Sequence, residues 1–368
     1  MKIGIDARFW NETGVGRYTR NLVECLGSHT TKNEYVLFLR PQEYKTLSLP
    51  GTNFTKVLAD IPWHSLKEQI LFPRIIEKEH LDLMHFPYFA VPIAYHKPYV
   101  VTIHDLILHH FATGEATTLP NSLYLLKLLG YKYVIKRAAQ HAKKIITVSG
   151  ATKQEIVDHL GVTAEKVAIT YEGLSFASSS TSVKNTYGDY FLHVGNVYPH
   201  KNSKRLVDAF IHAFKDKEVT LIFVGKKDFF MKRLMEFVKK GKSPNKFIFL
   251  DSVDDEQLSG LYTHAKAVVI PSLMEGFGLP AIEAMAAGSL VIASEIPSLR
   301  EVTGGNAVFC DPNNIQDIAA KLKAVYDAKP NKYEVVKQKG EQFVARYSWR
   351  KMTEETITIY ENCLSQKS

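Results

Sequence analysis

The sequence predicts an α/β protein made of two doubly wound domains, each built on a parallel sheet and joined by a short linker. Three observations lead there. At 368 residues the chain exceeds what one ordinary hydrophobic core organises. Apolar strand-like runs alternate with amphipathic helical runs from end to end, the pattern of open α/β sheets. A small, polar run, Ser175–Asp189, divides two such series and has the composition of a flexible connector.

The first series opens with a strand over Lys2–Ile5 and a helix over Val15–Leu26. Strands follow at Tyr35–Leu39, Leu83–Phe86, Tyr99–Ile103, Lys144–Val148 and Val167–Tyr171, with a helix at Ser65–Glu79 between the first two of these. The second series places strands at Tyr190–Val194, Thr220–Val224, Phe247–Leu250, Ala267–Ile270, Leu290–Ala293 and Ala307–Cys310. These runs are almost wholly apolar, as expected of strands covered on both faces. From about Asn314 the chain reads as helical, and Trp349, Met352, Ile357, Ile359 and Tyr360 give the last helix an apolar stripe to dock on other structure. The expected boundaries are 1–175 for the first domain, 176–189 for the linker, 190–345 for the second domain and 346–368 for a terminal helix returning toward the first. Two Rossmann-like domains arranged in this way make a cleft between the carboxyl ends of their sheets, where open α/β sheets bind ligands.

Composition narrows the function. With 45% hydrophobic and 23% charged residues the chain is globular, and no apolar run approaches a membrane span. It enters a strand directly from Met1, so no signal peptide is expected. Cys25, Cys310 and Cys363 have no paired spacing; they suit a reducing cytoplasm and neither a disulfide frame nor a zinc site. The net charge of +8 fits nucleic acid, anionic lipid or phosphorylated substrates. No zinc-finger, RNP or KH-like signature accompanies it, so nucleic acid ranks last.

The most informative motif is Glu275-Gly276-Phe277-Gly278-Leu279-Pro280 with Glu283 beyond it. It leaves the strand Ala267–Ile270 and enters a helix ending at Gly288, and Pro280 suits that helix's first turn, where no N–H is needed. Glycine-rich backbone at a helix amino end is a place for phosphate, and the two glutamates are acceptors for sugar hydroxyls. A nucleoside-diphosphate sugar carries both chemistries. Taken alone, a glutamate in a first turn usually complements the helix dipole, so for the isolated pair function and structure weigh evenly. The whole string in a strand–loop–helix setting is far more specific.

Other motifs fall at strand ends too. Gly14-Val15-Gly16-Arg17-Tyr18 opens the first helix but fails the dinucleotide fingerprint, since Thr19 stands at the third glycine position; its backbone N–H groups can still approach a pyrophosphate or sugar, a reading that outweighs a plain tight turn. His104-Asp105 follows Tyr99–Ile103, where a substrate contact competes with a plain helix cap by Asp105. The run from His193 through Gly195, Asn196, Tyr198-Pro199-His200-Lys201-Asn202 leaves the first strand of the second domain; Gly195 permits close backbone approach and Lys201 can neutralise a diphosphate. Leu123–Lys144 is a long basic helical stretch with Lys127, Lys132, Lys136 and Arg137 among leucines. It suits either an anionic membrane surface or an ordinary domain helix, and its apolar residues are expected mostly to face the core. Gly241-Lys242-Ser243 is no P-loop, because Glu236 replaces the first glycine, and Asp254-Asp255-Glu256 reads as a helix start rather than a metal site.

Together, the Glu275–Glu283 string, the Gly-Val-Gly-Arg loop, the Gly195-Asn196…Pro199-His200-Lys201-Asn202 loop and the Trp349 helix resemble retaining glycosyltransferases of the GT-B fold, specifically the mannosyltransferase-like enzymes of glycosyltransferase family four. The resemblance covers essentially the whole chain. It implies that Glu275 contacts the transferred sugar, Glu283 the ribose, and the backbone of Gly276, Phe277, Gly278 and Leu279 sugar and phosphate. Lys201 would bind the diphosphate, Gly16 would approach it from the first domain, His104 would bond the sugar near its 6-hydroxyl, and Val253 would meet the base through main chain. Such relatives often carry an arginine near the lysine where His200 stands here, so either Arg205 supplies a second charge or Lys201 acts with less help. The Tyr-Pro-His-Lys-Asn version resembles relatives that use GDP-mannose.

The resemblance further implies metal-independent transfer of mannose to a hydroxyl of a glycan or lipid-linked acceptor, with no cofactor beyond the donor. The acceptor would attack from the face the diphosphate leaves, whose oxygen takes the proton. Lys201 and helix amino ends would stabilise the leaving group, and domain closure would exclude water. The chain is expected in the cytoplasm, and peripheral contact with an anionic membrane stands open beside a soluble enzyme with an ordinary solvated helix. The rival readings are a nucleotide-sugar epimerase or phosphorylase, and a non-catalytic membrane or scaffold protein that kept the fold.

Overall fold

A computed structural model describes residues 1–29, 32–111, 121–174, 185–241, 245–251 and 253–365. Most of the expected linker and the Lys242-Ser243 pair lie outside the described residues. The chain divides into two compact units, residues 1–173 with 348–368, and residues 174–347.

The first unit carries, in chain order, β1 (Lys2–Asp6), α1 (Gly14–Ser28), β2 (Glu34–Leu39), α2 (Pro41–Thr46), β3 (Phe54–Leu58), α3 (Leu66–Glu77), β4 (Leu83–Phe86), β5 (Tyr99–Thr102), α4 (Ile107–His110), α5 (Asn121–His141), β6 (Lys144–Thr147), α6 (Gly150–Leu160) and β7 (Val167–Ile169). The strands form one parallel sheet in the order β3-β2-β1-β4-β5-β6-β7. The order reverses between β1 and β4, so the loops leaving those strands flank the crevice of this sheet.

The second unit continues with β8 (Tyr190–Val194), α7 (Ser203–Ala213), β9 (Thr220–Val224), α8 (Phe229–Lys240), β10 (Lys246–Leu250), α9 (Asp255–His264), β11 (Ala267–Ile270), α10 (Leu279–Ala286), β12 (Val291–Ser294), α11 (Pro297–Thr303), β13 (Val308–Cys310), α12 (Ile315–Tyr326) and α13 (Glu334–Val344). Its parallel sheet runs β10-β9-β8-β11-β12-β13, with the reversal between β8 and β11. The chain then re-enters the first unit as α14 (Trp349–Ser365).

The core of the second unit joins Phe191, Leu221, Phe223, Val269 and Ile292 of the sheet to Leu206 and Phe210 of α7 and Leu322 of α12, all buried. In the first unit α14 buries Trp349, Met352, Ile357 and Tyr360 and packs on α1. The Tyr360 hydroxyl lies 2.6 Å from His85 Nδ1 on β4, while His85 Nε2 lies 2.8 Å from the Thr102 hydroxyl on β5. A Cβ on Gly173 would fall 2.1 Å from the Trp349 nitrogen, so the helix enters where only glycine lets it. A second polar knot sits at the end of β1. Buried Arg8 donates to Asp6 at 2.7 and 2.8 Å and to Glu68 at 2.7 Å, and its guanidinium covers the Phe72 ring at 3.7 Å.

Two sequence expectations change. Phe54–Leu58, not assigned from sequence, is the edge strand β3, where only Phe54 is buried and Thr55 and Lys56 disguise it among loop residues. The basic helix stops at His141, and Lys144 opens β6. Its apolar residues do not mostly face the core. Leu125, Leu126, Leu129 and Tyr133 are 58, 67, 66 and 59% exposed. Its burial comes instead from the carboxyl-terminal turns, at Ile135, Ala138 and Ala139.

Candidate functional site

In the second unit the loops leaving β8 and β11 run side by side at the point where strand order reverses. Gly195 has φ +129°, a conformation that favours glycine, and its N–H bonds Val224 O at 2.9 Å. The loop then turns through Pro199–Lys201 to Asn202, at φ +61°. The Asn202 side chain holds both neighbours, donating to Pro271 O at 2.9 Å and Pro312 O at 2.7 Å. Leu273 N–H bonds His200 O at 2.7 Å, which stitches the β8 loop to the β11 loop.

This stitching sets Lys201 against Glu275. The ammonium donates to both carboxylate oxygens, at 2.7 and 2.8 Å, and the Ser272 hydroxyl adds a third bond at 2.7 Å. Glu275 is only 8% exposed. Burial pushes its carboxyl up, but the Lys201 charge and the Lys201 and Ser272 hydrogen bonds outweigh that and hold it below the usual range. The group is therefore a carboxylate at neutral pH, an acceptor with lone pairs to offer a hydroxyl. His200 is pushed down to about 4, by burial first and by the Lys201 charge second, so it brings no charge to the loop near pH 7. Arg205 has a structural duty: its Nη1 donates to Asn202 Oδ1 at 2.6 Å and Pro312 O at 3.0 Å.

Beyond Glu275 the chain enters α10 through Gly278, at φ +95°, where a Cβ would also strike Leu299 at 2.7 Å. Backbone N–H groups of a first helical turn have no carbonyl one turn earlier to bond, and Pro280 there costs nothing. The Phe277 ring packs edge-on against Tyr347, 5.3 Å between centroids, which leaves its backbone to line the loop. Glu283, 1% exposed, accepts from the Tyr262 hydroxyl of α9 at 3.0 Å. Val253 precedes Asp254, which caps α9 by accepting from Gln257 N–H at 2.8 Å, so the acidic run is a helix start. Asn196 lies half-buried beside Gly195.

In the first unit Gly16 lies in the opening turn of α1, where a Cβ would fall 2.6 Å from the carbonyls of Phe9 and Trp10. Close backbone packing therefore already demands glycine there. His104 Nε2 lies 3.0 Å from Pro87 O and Nδ1 3.5 Å from Glu172, with the Tyr18 ring edge-on at 4.9 Å. Asp105 accepts from Ile107 N–H at 2.9 Å, two residues on, and so turns the backbone toward α4, whose cap position is Leu106.

Family models match both halves of the chain. The model described as Glycosyltransferase Family 4 matches residues 13–177, and Glycosyl transferases group 1 matches residues 177–343. The chain is a glycosyltransferase of family four. Among curated proteins it is similar to the O-antigen chain mannosyltransferase RfbU of Salmonella typhimurium, 27% identical over 84% of this chain and 83% of that one. It is equally similar, at 27%, to O-antigen chain mannosyltransferase B of Escherichia coli, over 95% and 96%. Among solved structures it resembles sucrose-phosphate synthase of Thermosynechococcus elongatus, with a TM-score of 0.77 at 19% identity and all of both chains covered. Anabaena HepE in complex with UDP and glucose aligns with a TM-score of 0.74 at 17% identity over 98% of this chain and all of that one. The fold of this transferase is GT-B. The epimerase and non-catalytic readings fall away, since its relatives are transferases.

Sequence reasoning about this glycosyltransferase missed Ser272, Tyr262 and Glu172. Ser272 was within reach, three residues before Glu275 on the same strand-to-helix turn. Tyr262 and Glu172 reach their partners from 21 and 68 positions away in sequence and carry no local signal.

Proposed function

We propose that this transferase moves mannose from GDP-mannose to a hydroxyl of a glycan or lipid-linked acceptor, with retention and without a metal at the reacting carbon. The Lys201–Glu275 pair at the amino end of α10 is the observation that carries this reading, and the mannosyltransferase relatives support the choice of sugar. Two N–H groups of the ammonium donate to Glu275, and the third is the one that would donate to a phosphate oxygen. As the bond from the sugar's anomeric carbon to phosphate breaks, Lys201 and the first turn of α10 stabilise the charge on the leaving diphosphate. The acceptor oxygen bonds that carbon on the same face and its proton passes to the departing phosphate oxygen. Glu275 accepts from hydroxyls of the sugar throughout.

The deciding experiment offers GDP-mannose, UDP-glucose and UDP-N-acetylglucosamine in turn, reading thermal shift and donor hydrolysis with and without EDTA. GDP-mannose should give the largest shift and the fastest turnover, unchanged by chelator. Preference for a uridine donor would overturn the sugar assignment. Loss of turnover in EDTA, restored by magnesium or manganese, would overturn the metal-free mechanism.

Glu283 is assigned to the ribose. Glu283→Ala should weaken free nucleotide and donor alike by roughly 1.5–3 kcal/mol, the scale of a charge-assisted hydrogen bond. Tyr262→Phe, which removes the hydroxyl that steadies Glu283, should produce a smaller loss in the same direction. Equal binding of ribose and 2′,3′-dideoxy nucleotides by the unaltered protein would remove the assignment.

The acceptor side is assigned to an anionic membrane. Lys127, Lys132 and Lys136 are exposed on α5 with the exposed leucines, so charge and apolar surface coincide. Among the described residues no helix is long and apolar enough to cross a bilayer. Each lysine near an anionic surface contributes about 1 kcal/mol, screened over roughly 10 Å at 0.1 M salt. In co-sedimentation the protein should pellet with anionic vesicles. Salt should release only part of it, and a Lys127/Lys132/Lys136 charge-removal variant should lose the salt-sensitive part. Arg137 is left intact there because it donates to Ile93 O at 3.2 and 3.3 Å. Equal pelleting with neutral vesicles would show that the charges do not contribute.

A further inference from the structure

The first unit carries a cluster that the transfer reaction does not use, and we propose that it is a zinc site formed by His110, Glu155 and His159. His110 closes α4; Glu155 and His159 stand one turn apart on α6. His110 Nε2 lies 2.6 Å from Glu155 Oε2, and His159 Nε2 lies 3.4 Å from the same oxygen. The three ligand atoms all fall within 4.8 Å of one another. Among the described residues this is the one such group of three.

The distances fit an ion with small adjustments. Zinc bonds to nitrogen and oxygen are about 2.0–2.1 Å, which puts tetrahedral donors roughly 3.3 Å apart. The closest pair has to open and the farthest to close. All three side chains are a third or more exposed, so rotamer changes suffice without moving backbone. An ion pair would satisfy Glu155 with one imidazole; here two imidazoles turn Nε2 to one carboxylate oxygen, and their rings stand 5.1 Å apart. Each neutral imidazole can bind through Nε2 once its proton sits on Nδ1. Two imidazoles and a carboxylate are borderline donors that suit zinc better than calcium or magnesium, and they leave a fourth position for water.

The neighbouring histidine shows what the ion would accomplish. His109 Nδ1 lies 2.9 Å from the Tyr131 hydroxyl on α5. Adjacent residues of α4 therefore bond to different helices, His109 to Tyr131 of α5 and His110 to Glu155 of α6, while the His109 ring also stands 6.1 Å from that of His159. An ion at His110 would fasten α4 to α6, and α4 follows directly on His104 and Asp105. The site is a clamp on that segment and takes no part in bond-making.

The test uses the full chain stripped with chelator and titrated with zinc chloride against a chromophoric competitor. One equivalent should bind, and the melting temperature should rise with it. Glu155→Gln and His159→Ala should each weaken binding at least about tenfold, since even outer-shell changes cost 10–100-fold. Both should also shrink the melting shift at a given zinc concentration, while melting like the metal-free parent when zinc is absent. His212→Ala, on α7 of the second unit, should change nothing. Cobalt in place of zinc should give visible absorption bands that Glu155→Gln loses. Failure to bind one equivalent would overturn the proposal, as would equal affinity in the parent and both variants, the mark of adventitious binding.

Discussion

Replacing Glu275 by alanine is expected to lower sugar transfer by about two orders of magnitude or more while leaving nucleoside-diphosphate affinity within a few fold. The carboxylate is buried, stays ionised because Lys201 and Ser272 hold it, and presents lone pairs at the amino end of α10. A preorganised acceptor of this kind acts on the sugar, and losing one key polar contact at a reacting centre costs on the scale of 10²–10³ in rate. The nucleotide end of the donor does not depend on it. Removing the carboxylate also frees Lys201 for the diphosphate, so affinity for the nucleoside diphosphate alone should hold or rise. Donor turnover and calorimetric titration of GDP on the same variant check both halves. Unchanged transfer, or parallel losses in transfer and GDP binding, would remove Glu275 from the sugar.

The sequence carried this far because the decisive features are local. Glycine at Gly278, proline at Pro280 and a buried strand before them dictate a sharp strand-to-helix turn whatever surrounds it, and the structure has that turn. The two strand series were equally legible, since parallel strands buried on both faces are apolar without interruption. What escaped was set by contacts between distant parts of the chain. β3 is an edge strand recognisable only by its pairing with β2. On α5, leucines at 125, 126, 128 and 129 spread around the helix, so periodicity names no buried face, and the burial at Ile135, Ala138 and Ala139 depends on neighbours in the fold. Whether Arg205 supplies a second charge or Lys201 acts with less help also lay beyond composition. Burial neutralises His200, and Arg205 is bound to Asn202 and Pro312.

The second large effect concerns Lys201, whose loss should damage the fold as well as the reaction. Lys201→Ala leaves Glu275 buried without its cation, still accepting from the Ser272 hydroxyl. Breaking a buried pair from one side costs about 3–5 kcal/mol, and the lower end applies here because the lysine side chain is 20% exposed. Transfer should fall at least about a hundredfold, with donor affinity falling too, since the leaving diphosphate loses its cation. Removing both partners should be gentler on stability than removing Lys201 alone, because no uncompensated charge is left behind. Acid supplies an independent check. In the parent the folded Glu275 carboxyl lies below its unfolded value, so the pair's contribution is present above the unfolded carboxyl pKa and is lost as pH falls through the folded one. In Lys201→Ala burial acts without its main opponent and raises the folded carboxyl, so that variant recovers stability as it takes up a proton. The gap between parent and variant should therefore narrow from pH 7 to pH 5 in denaturant titrations. A gap that stays constant or widens on acidification would mean that Lys201 does not hold the Glu275 charge, and the electrostatic basis of the site would fail with it.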